Sequence, residues 1–375
     1  MCRFKIFPLV VLVLTAIGLF SRPVPAQTDI RLGVYLPMTG GVAAFGKMEW
    51  AGIQVANSME PEVLGKKIDL VLLDTRSEQI EASNVVSLLV EMKVAGIIGE
   101  AISANTMAGN PISEKAHIPS VSPTATNPLV TQGKKYAFRA CFIDPLQAEV
   151  AARFVRNDLK AGTAVLIIDN AQDYSVGLGN FFEKEFEKLG GKILSKTFIL
   201  TGDQDFSAQL SSIQASKPDL IYAPIYYTED ALLARQARDL GIDTPIVTGD
   251  GAQADQLIQI GGKAVEGMYF TGHFHKDAAT TERAKKFTKL YQAKYKDEIS
   301  AFSALGADAY LLLVDAIKRA GSTEGPKVRD ALASTKDFQG VSGSLTMGPD
   351  GNPIKSVVIE KVENGKFVYV TTVAP

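Results

Sequence analysis

Residues 94–126 read VAGIIGEAISANTMAGNPISEKAHIPSVSPTAT. An apolar run at 94–98 has strand length, 105–116 reads as a helix, and 118–121 is a second apolar strand. Apolar strands joined through a helix specify a parallel sheet covered on both faces. The same alternation extends in both directions. Before it come strands at 30–36 and 68–73 and helices at 49–59 and 80–92. After it, helices at 147–159, 176–189, 206–215 and 231–240 alternate with strands at 164–168, 193–198, 220–223 and 245–247. Within 176–189, Phe182, Phe186 and Leu189 share one helical face. These strands are too many for one ordinary doubly wound domain, and the pattern restarts near Asp144-Pro145. The expected fold is therefore α/β, with two doubly wound parallel-sheet lobes. The C-terminal part departs from the alternation, with long helices at 281–295 and 307–320. A hairpin over 357–370 turns at Asn364-Gly365, a pair suited to a two-residue loop.

The N-terminus has the order of a secretory signal. Arg3 and Lys5 precede a charge-free apolar run at 6–20, and small residues Val24 and Ala26 stand before Gln27. The run is too short for a comfortable membrane span, and cleavage is expected near Ala26. Removing Arg3, Lys5 and Arg22 with residues 1–26 lowers the formal charge from −2 to −5. That mild acidity argues against nucleic acid or anionic lipid as a partner. Roughly 350 residues remain, enough for two domains with their own cores. One cysteine, Cys141, remains, so no internal disulfide can form. In Tyr136-Ala-Phe-Arg-Ala-Cys141-Phe it reads as a small buried hydrophobe rather than a nucleophile.

Two motifs tempt an enzymatic reading. Gly41-Val-Ala-Ala-Phe-Gly46-Lys47 has phosphate-loop spacing, and Leu70-Val-Leu-Leu-Asp74 resembles its magnesium-binding strand. Position 48 is Met, however, with no hydroxyl for a metal, and nucleotide triphosphate is scarce outside the cell. The stretch reads better as a glycine-rich turn that brings Phe45 to a cleft mouth. His273-Phe-His275 could place two imidazoles on one face, but no cysteine and no third histidine other than distant His117 accompany them. No Gly-x-Ser-x-Gly nucleophile elbow occurs, and no carboxylate pair stands apart.

The loops just past the strand ends carry more information, because open α/β sheets bind ligands there. Ile98-Gly-Glu-Ala-Ile-Ser103-Ala-Asn-Thr106 ends a strand and starts a helix, and Ser122-Pro-Thr124-Ala-Thr126-Asn-Pro ends the next strand. Both offer hydroxyls and free N–H groups beside a helix N-terminus, a natural anion site. Ordinary N-capping would look the same. In the second block Asp173-Tyr174, Tyr226-Tyr227 and Asp250-Gly251 follow successive strands. They offer aromatic faces and a carboxylate suited to an ammonium group.

A further set of segments matters through its order and spacing: Leu36-Pro-Met-Thr-Gly-Gly41, Ser122-Pro-Thr-Ala-Thr-Asn-Pro128 and Gly202-Asp-Gln-Asp-Phe-Ser207. Leu210, Ile213 and Pro218-Asp219, Arg235-Gln-Ala-Arg-Asp-Leu-Gly241, Glu266-Gly-Met268 and Asp315-Ala-Ile-Lys-Arg-Ala-Gly-Ser322 continue the series. Over some 300 residues the chain resembles the leucine/isoleucine/valine-binding branch of the type I periplasmic binding proteins, which feed ABC importers. The resemblance implies two lobes joined by a three-stranded hinge, 27–144 with 274–345 and 145–273 with 346–375. It implies a non-enzymatic monomer without cofactor or metal, holding a branched-chain or similar aliphatic amino acid in the cleft. Permease and ATPase subunits at the inner membrane would receive that ligand. Ser103 would take the carboxylate, with donors at Thr124 and Thr126. Tyr174 and Tyr226 would line the cleft, Phe45 its mouth, and Asp250, beside Gly251, would take the amine. Leucine binders usually carry Glu at the Asp250 position. The branch also includes binders of amides, urea and aromatic acids. A sensing ectodomain or an exported enzyme on the same two-lobed fold would share these features.

Overall fold

A computed structural model describes residue 1 and residues 29–278, 281–296 and 299–374. The expected export signal lies outside the described residues. Strand β1 (Ile30–Leu36) is buried except at Arg31, as an interior strand of a covered sheet must be. It leads into helix α1 (Ala43–Met59), then the short β2 (Glu62–Val63), β3 (Lys66–Asp74), α2 (Gln79–Glu91), β4 (Ile97–Ile98), α3 (Ser103–Lys115), β5 (Ser120–Ser122) and β6 (Ala137–Arg139). These strands form one sheet in the order β2-β3-β1-β4-β5-β6, parallel except for β2. In register, Val34 faces Ile98, the last residue of β4, so β4 ends two residues short of β1, whose end at Leu36 lies nearby.

The chain then enters the second lobe through α4 (Asp144–Asn157), β7 (Thr163–Asp169), α5 (Asp173–Lys188), β8 (Lys192–Ile199), α6 (Ser207–Ser216), β9 (Leu220–Tyr222), α7 (Tyr227–Asp239), β10 (Ile246–Thr248), α8 (Asp255–Gly261) and β11 (Tyr269–Gly272). It returns through α9 (Glu282–Tyr295), α10 (Ala301–Ala320), α11 (Gly325–Ala333), β12 (Phe338–Gln339), β13 (Ser344–Met347) and β14 (Pro353–Ile354), and crosses again into the hairpin β15 (Val357–Glu363) and β16 (Lys366–Val373). The second sheet runs β16-β15-β11-β10-β9-β7-β8. Its hairpin turns at Asn364-Gly365 as expected, both with φ in the left-handed region (54° and 67°). The chain thus passes between the sheets three times. The third passage falls between Ile354 and Val357, past the expected 345/346 boundary, because Leu345 and Met347 pack into the first lobe's core. Each lobe has its own apolar cluster, and Phe45, Ala101 and Phe302 of the first lobe join the second lobe's cluster across the cleft.

Six helices (α1, α3, α4, α5, α7 and α10) begin two or more residues earlier than their apolar periodicity suggests, and for three of them this places an aromatic ring of the site in the first turn. Helix α10 starts at Ala301 rather than 307, because Ser300 and Ser303 form a reciprocal capping box. That places Phe302 in its first turn. Helix α1 starts at Ala43 and α5 at Asp173, so Phe45 and Tyr174 also occupy first turns. Among the described residues no helix is long and apolar enough to cross a membrane.

Candidate functional site

The loops past the strand ends converge on a small cavity whose lining residues are all buried. Phe45, Ser103, Thr124 and Thr126 line it from the first lobe, and Tyr174, Tyr226, Asp250 and Gly251 from the second. Two unforeseen residues, Ala101 and Phe302, complete the wall. All eight residues singled out from the sequence therefore meet in one place.

One end gathers hydrogen-bond donors from the first lobe. Ser103 opens α3, whose first N–H groups have no partner within the helix. Its Oγ accepts from the Asn127 backbone N–H at 3.2 Å, which ties the two first-lobe loops together. The Thr126 hydroxyl is buried with no hydrogen-bond partner, a state that is unfavourable until something pairs with it. The neighbouring Asp144 carboxyl, also buried, feels this hydroxyl but makes no hydrogen bond of normal geometry with it. Thr124 differs from expectation. Its hydroxyl already donates to Glu49 Oε1 at 2.6 Å and to the Ala101 carbonyl at 3.2 Å. Burial holds the Glu49 carboxyl well above the usual carboxylate range. Beside it, Glu100 accepts from Thr75 Oγ1 (2.6 Å), the Ile102 N–H (2.5 Å) and Asn105 Nδ2 (3.1 Å), fixing the turn before α3. Burial pushes Glu100 up to about 7.

The other end is a carboxylate held by neutral donors. Asp250 is buried in a short 3₁₀ turn after β10. Its Oδ1 accepts from Gln147 Nε2 at 2.8 Å and from the Tyr174 hydroxyl at 2.9 Å, and its Oδ2 lies 3.0 Å from His273 Nε2. Burial pushes the Tyr174 phenol up and the His273 imidazole down, so both are neutral donors. His273 Nδ1 has no partner, which fits a neutral ring protonated at Nε2. Asp250 is thus oriented but not neutralised, and a carboxylate has about four acceptor sites of which three are engaged here.

Aromatic rings join the two ends. Phe45 stacks on Phe302 (centroids 4.2 Å apart, planes 4°) and meets Tyr226 and Tyr227 edge-on. Tyr174 stacks on Tyr226 (5.4 Å, 4°). Phe45 therefore sits inside the closed cleft, buried, rather than at its mouth. Hydrogen bonds also cross between the lobes around the cavity. Asn127 Nδ2 donates to the Asp173 carbonyl (2.9 Å), Tyr227 to the Gly41 carbonyl (3.2 Å), and the Ala301 N–H to Gln253 Oε1 (2.9 Å).

Gly41–Lys47 forms no phosphate cradle, since α1 already begins at Ala43. His273 and His275 diverge, one toward Asp250 and the other toward Asp277. Cys141 is buried and its thiol is pushed up to about 12, so it is no nucleophile at neutral pH. A wider groove of about 1180 Å³ lies between Gln253, Tyr291 and Phe367. His275 lines it but none of the eight expected site residues does, and its wall includes the exposed Lys366. Sequence reading missed Phe302, Gln147 and Arg139. A signal for Arg139 existed, a lone arginine closing the short strand Ala137–Arg139, buried throughout.

Comparison with known proteins gives a consistent picture. The periplasmic binding protein family model matches residues 29–366. The Leu/Ile/Val-binding protein BraC3 of Rhizobium johnstonii is 31% identical over 349 residues, covering 92% of this chain and 94% of that one. The crystal structure of the leucine binding protein LivK of Thermotoga maritima is 49% identical with a TM-score of 0.91, covering 92% of this chain and 99% of the other. LivJ of Streptococcus pneumoniae, a branched-chain amino acid transporter substrate binding protein solved with isoleucine, is 34% identical with a TM-score of 0.88, covering 93% and 100%. A Rhodopseudomonas palustris solute binding protein solved with benzoate shares the fold at 22% identity, with a TM-score of 0.84 and coverage of 93% and 97%.

Proposed function

Because the chain belongs to the periplasmic binding protein family, in its leucine/isoleucine/valine-binding branch, we propose that it is the binding component of an ABC importer for a small aliphatic α-amino acid. It is exported, cleaved near Ala26, and closes around its ligand in the periplasm. The closed form then delivers the ligand to permease and ATPase subunits. The observation that carries this reading is the polarity of the cavity. An unpartnered hydroxyl and a helix N-terminus stand at one end, an un-neutralised Asp250 at the other, with aromatic walls between. An α-amino acid presents a carboxylate, an ammonium and an apolar side chain in that arrangement. A buried carboxylate such as Asp250 is heavily penalised without a cation, and an ammonium supplies one.

An enzyme on this fold is disfavoured by the same geometry. Ser103 Oγ faces a backbone N–H and no base, and His273 is engaged with Asp250. The reading as a binder of benzoate-like acids meets a specific difficulty, since such a ligand leaves Asp250 without its cation. A thermal-shift screen over amino acids, amides and aromatic acids tests the proposal. A ligand that binds only the native state raises Tm with concentration. Aliphatic amino acids are expected to do so, and a response confined to aromatic acids would refute the assignment.

A further inference from the structure

Arg139 stands behind the anion end of the cavity, at the end of β6, fully buried. Its guanidinium donates to the carbonyls of Ala125 (2.6 Å) and Asn127 (3.0 Å) and to Thr131 Oγ1 (3.2 Å). Thr131 in turn donates to Asn352 Oδ1 at 2.8 Å, which fixes that side. Every oxygen the guanidinium reaches is neutral, and its Nε has no partner. Asp144 and Asp350 attract it without forming an ion pair. A buried cation without a counter-ion is unfavourable, so a reason for keeping it is required.

The two carbonyls it holds flank Thr126. In a trans peptide the N–H lies opposite the carbonyl, so the Thr126 N–H points away from the guanidinium. Thr126 is also the cavity residue whose hydroxyl lacks a partner. We propose that Arg139 is the positioning residue that charges the anion end: without touching the ligand, it locks the Thr124–Asn127 loop and supplies the positive potential for the ligand's carboxylate. The inference rests on the amino-acid reading above and deepens it. In an interior of low dielectric, a full charge one peptide unit behind the donors is felt strongly. The ligand's carboxylate is then the counter-ion that Arg139 otherwise does without.

Leucine and leucinamide form the test pair, in which a neutral amide replaces the carboxylate, and titrations are run at a pH where both amines are protonated. Their affinities are measured calorimetrically for the wild type, Arg139→Gln, Arg139→Lys and Cys141→Asp. The wild type should prefer leucine, and Arg139→Gln should cut that preference by about tenfold or more. Arg139→Lys keeps the charge and should retain most of the preference even if both affinities fall. Cys141 lies beside the guanidinium, and Cys141→Asp leaves Arg139 in place while giving it a counter-charge. Its preference should fall as in Arg139→Gln, so it decides the matter if the glutamine variant does not fold. A folded Arg139→Gln or Cys141→Asp protein that loses affinity for both ligands equally, or for neither, would overturn the inference and reduce Arg139 to a loop brace. A wild type that does not distinguish leucine from leucinamide would instead sink the amino-acid reading itself.

Discussion

Thr126 and Asp250 show how much a single side chain can reveal when its hydrogen bonds are accounted for. The Thr126 hydroxyl is buried and makes no hydrogen bond of normal geometry, its nearest acidic neighbour being Asp144. Thr126→Val keeps the shape and removes the donor. Calorimetry should then show leucine binding weakened by roughly 1–3 kcal/mol, the range for hydrogen bonds to a charged group. Tm of the ligand-free protein should hardly change, and an unaltered affinity would exclude Thr126 from the anion site. Asp250 was legible in the sequence as a carboxylate just past a strand end. Its partners were not, because Gln147, Tyr174 and His273 lie 103, 76 and 23 residues away along the chain. Loop position can be read locally. Which neutral donors orient a carboxylate depends on how the two lobes pack.

At the scale of elements, the fold was legible wherever periodicity was strong and obscure where caps decide. The parallel alternation and the Asn364-Gly365 hairpin follow directly from apolar pattern and turn chemistry. The start of α10 does not, since Ser300-Ala-Phe302-Ser303 reads as a loop until the capping box is seen. Phe302 was missed for that reason. The packing of α10 on α1 is equally specific. A Cβ at Gly306 would lie 2.5 Å from the Glu49 carbonyl oxygen, and one at Gly52 1.9 Å from that of Ser303. Both obstacles are backbone, so the helices themselves must separate. Gly306→Ala should therefore destabilise the protein by about 1–3 kcal/mol despite its better helix propensity. It should also loosen the Phe45–Phe302 stack and weaken binding. A urea unfolding midpoint equal to or above that of the wild type would show that the close approach is not required.

At the scale of the whole molecule, the two lobes close over buried acids whose protons are part of stability. Burial pushes Glu360 and Asp144 each up to about 8, against ordinary values of 4.5 and 3.8. The folded state thus holds protons that the unfolded chain releases near its ordinary carboxylate range. Between roughly pH 4 and 8 the folded state binds more protons, so stability is greatest at the acid side of that window and falls as pH rises through it. Each such proton contributes a slope of about 1.4 kcal/mol per pH unit. Glu360 is held by Gln253, whose carbonyl oxygen bridges to the first lobe at Ala301, so the group sits at the closure itself. Glu360→Gln should remove one proton's share of the slope in urea unfolding across that range, leaving the rest to the other buried acids with raised pKa, Asp144, Glu100, Glu49 and Asp230. An unchanged slope would mean that Glu360 titrates normally in the fold.

On the proposed function the cavity holds both charged ends of an aliphatic α-amino acid, with Asp250 taking the ammonium. Leucine and its deaminated counterpart 4-methylpentanoate share the carboxylate and the side chain and differ in the amine. Titrating the wild type and Asp250→Asn with both compounds isolates the contribution of the amine. The wild type should bind leucine about a hundredfold more tightly, roughly 2–3 kcal/mol, and the variant should lose most of that margin. Equal binding of the two compounds by the wild type, or a preference that survives Asp250→Asn, would contradict that reading.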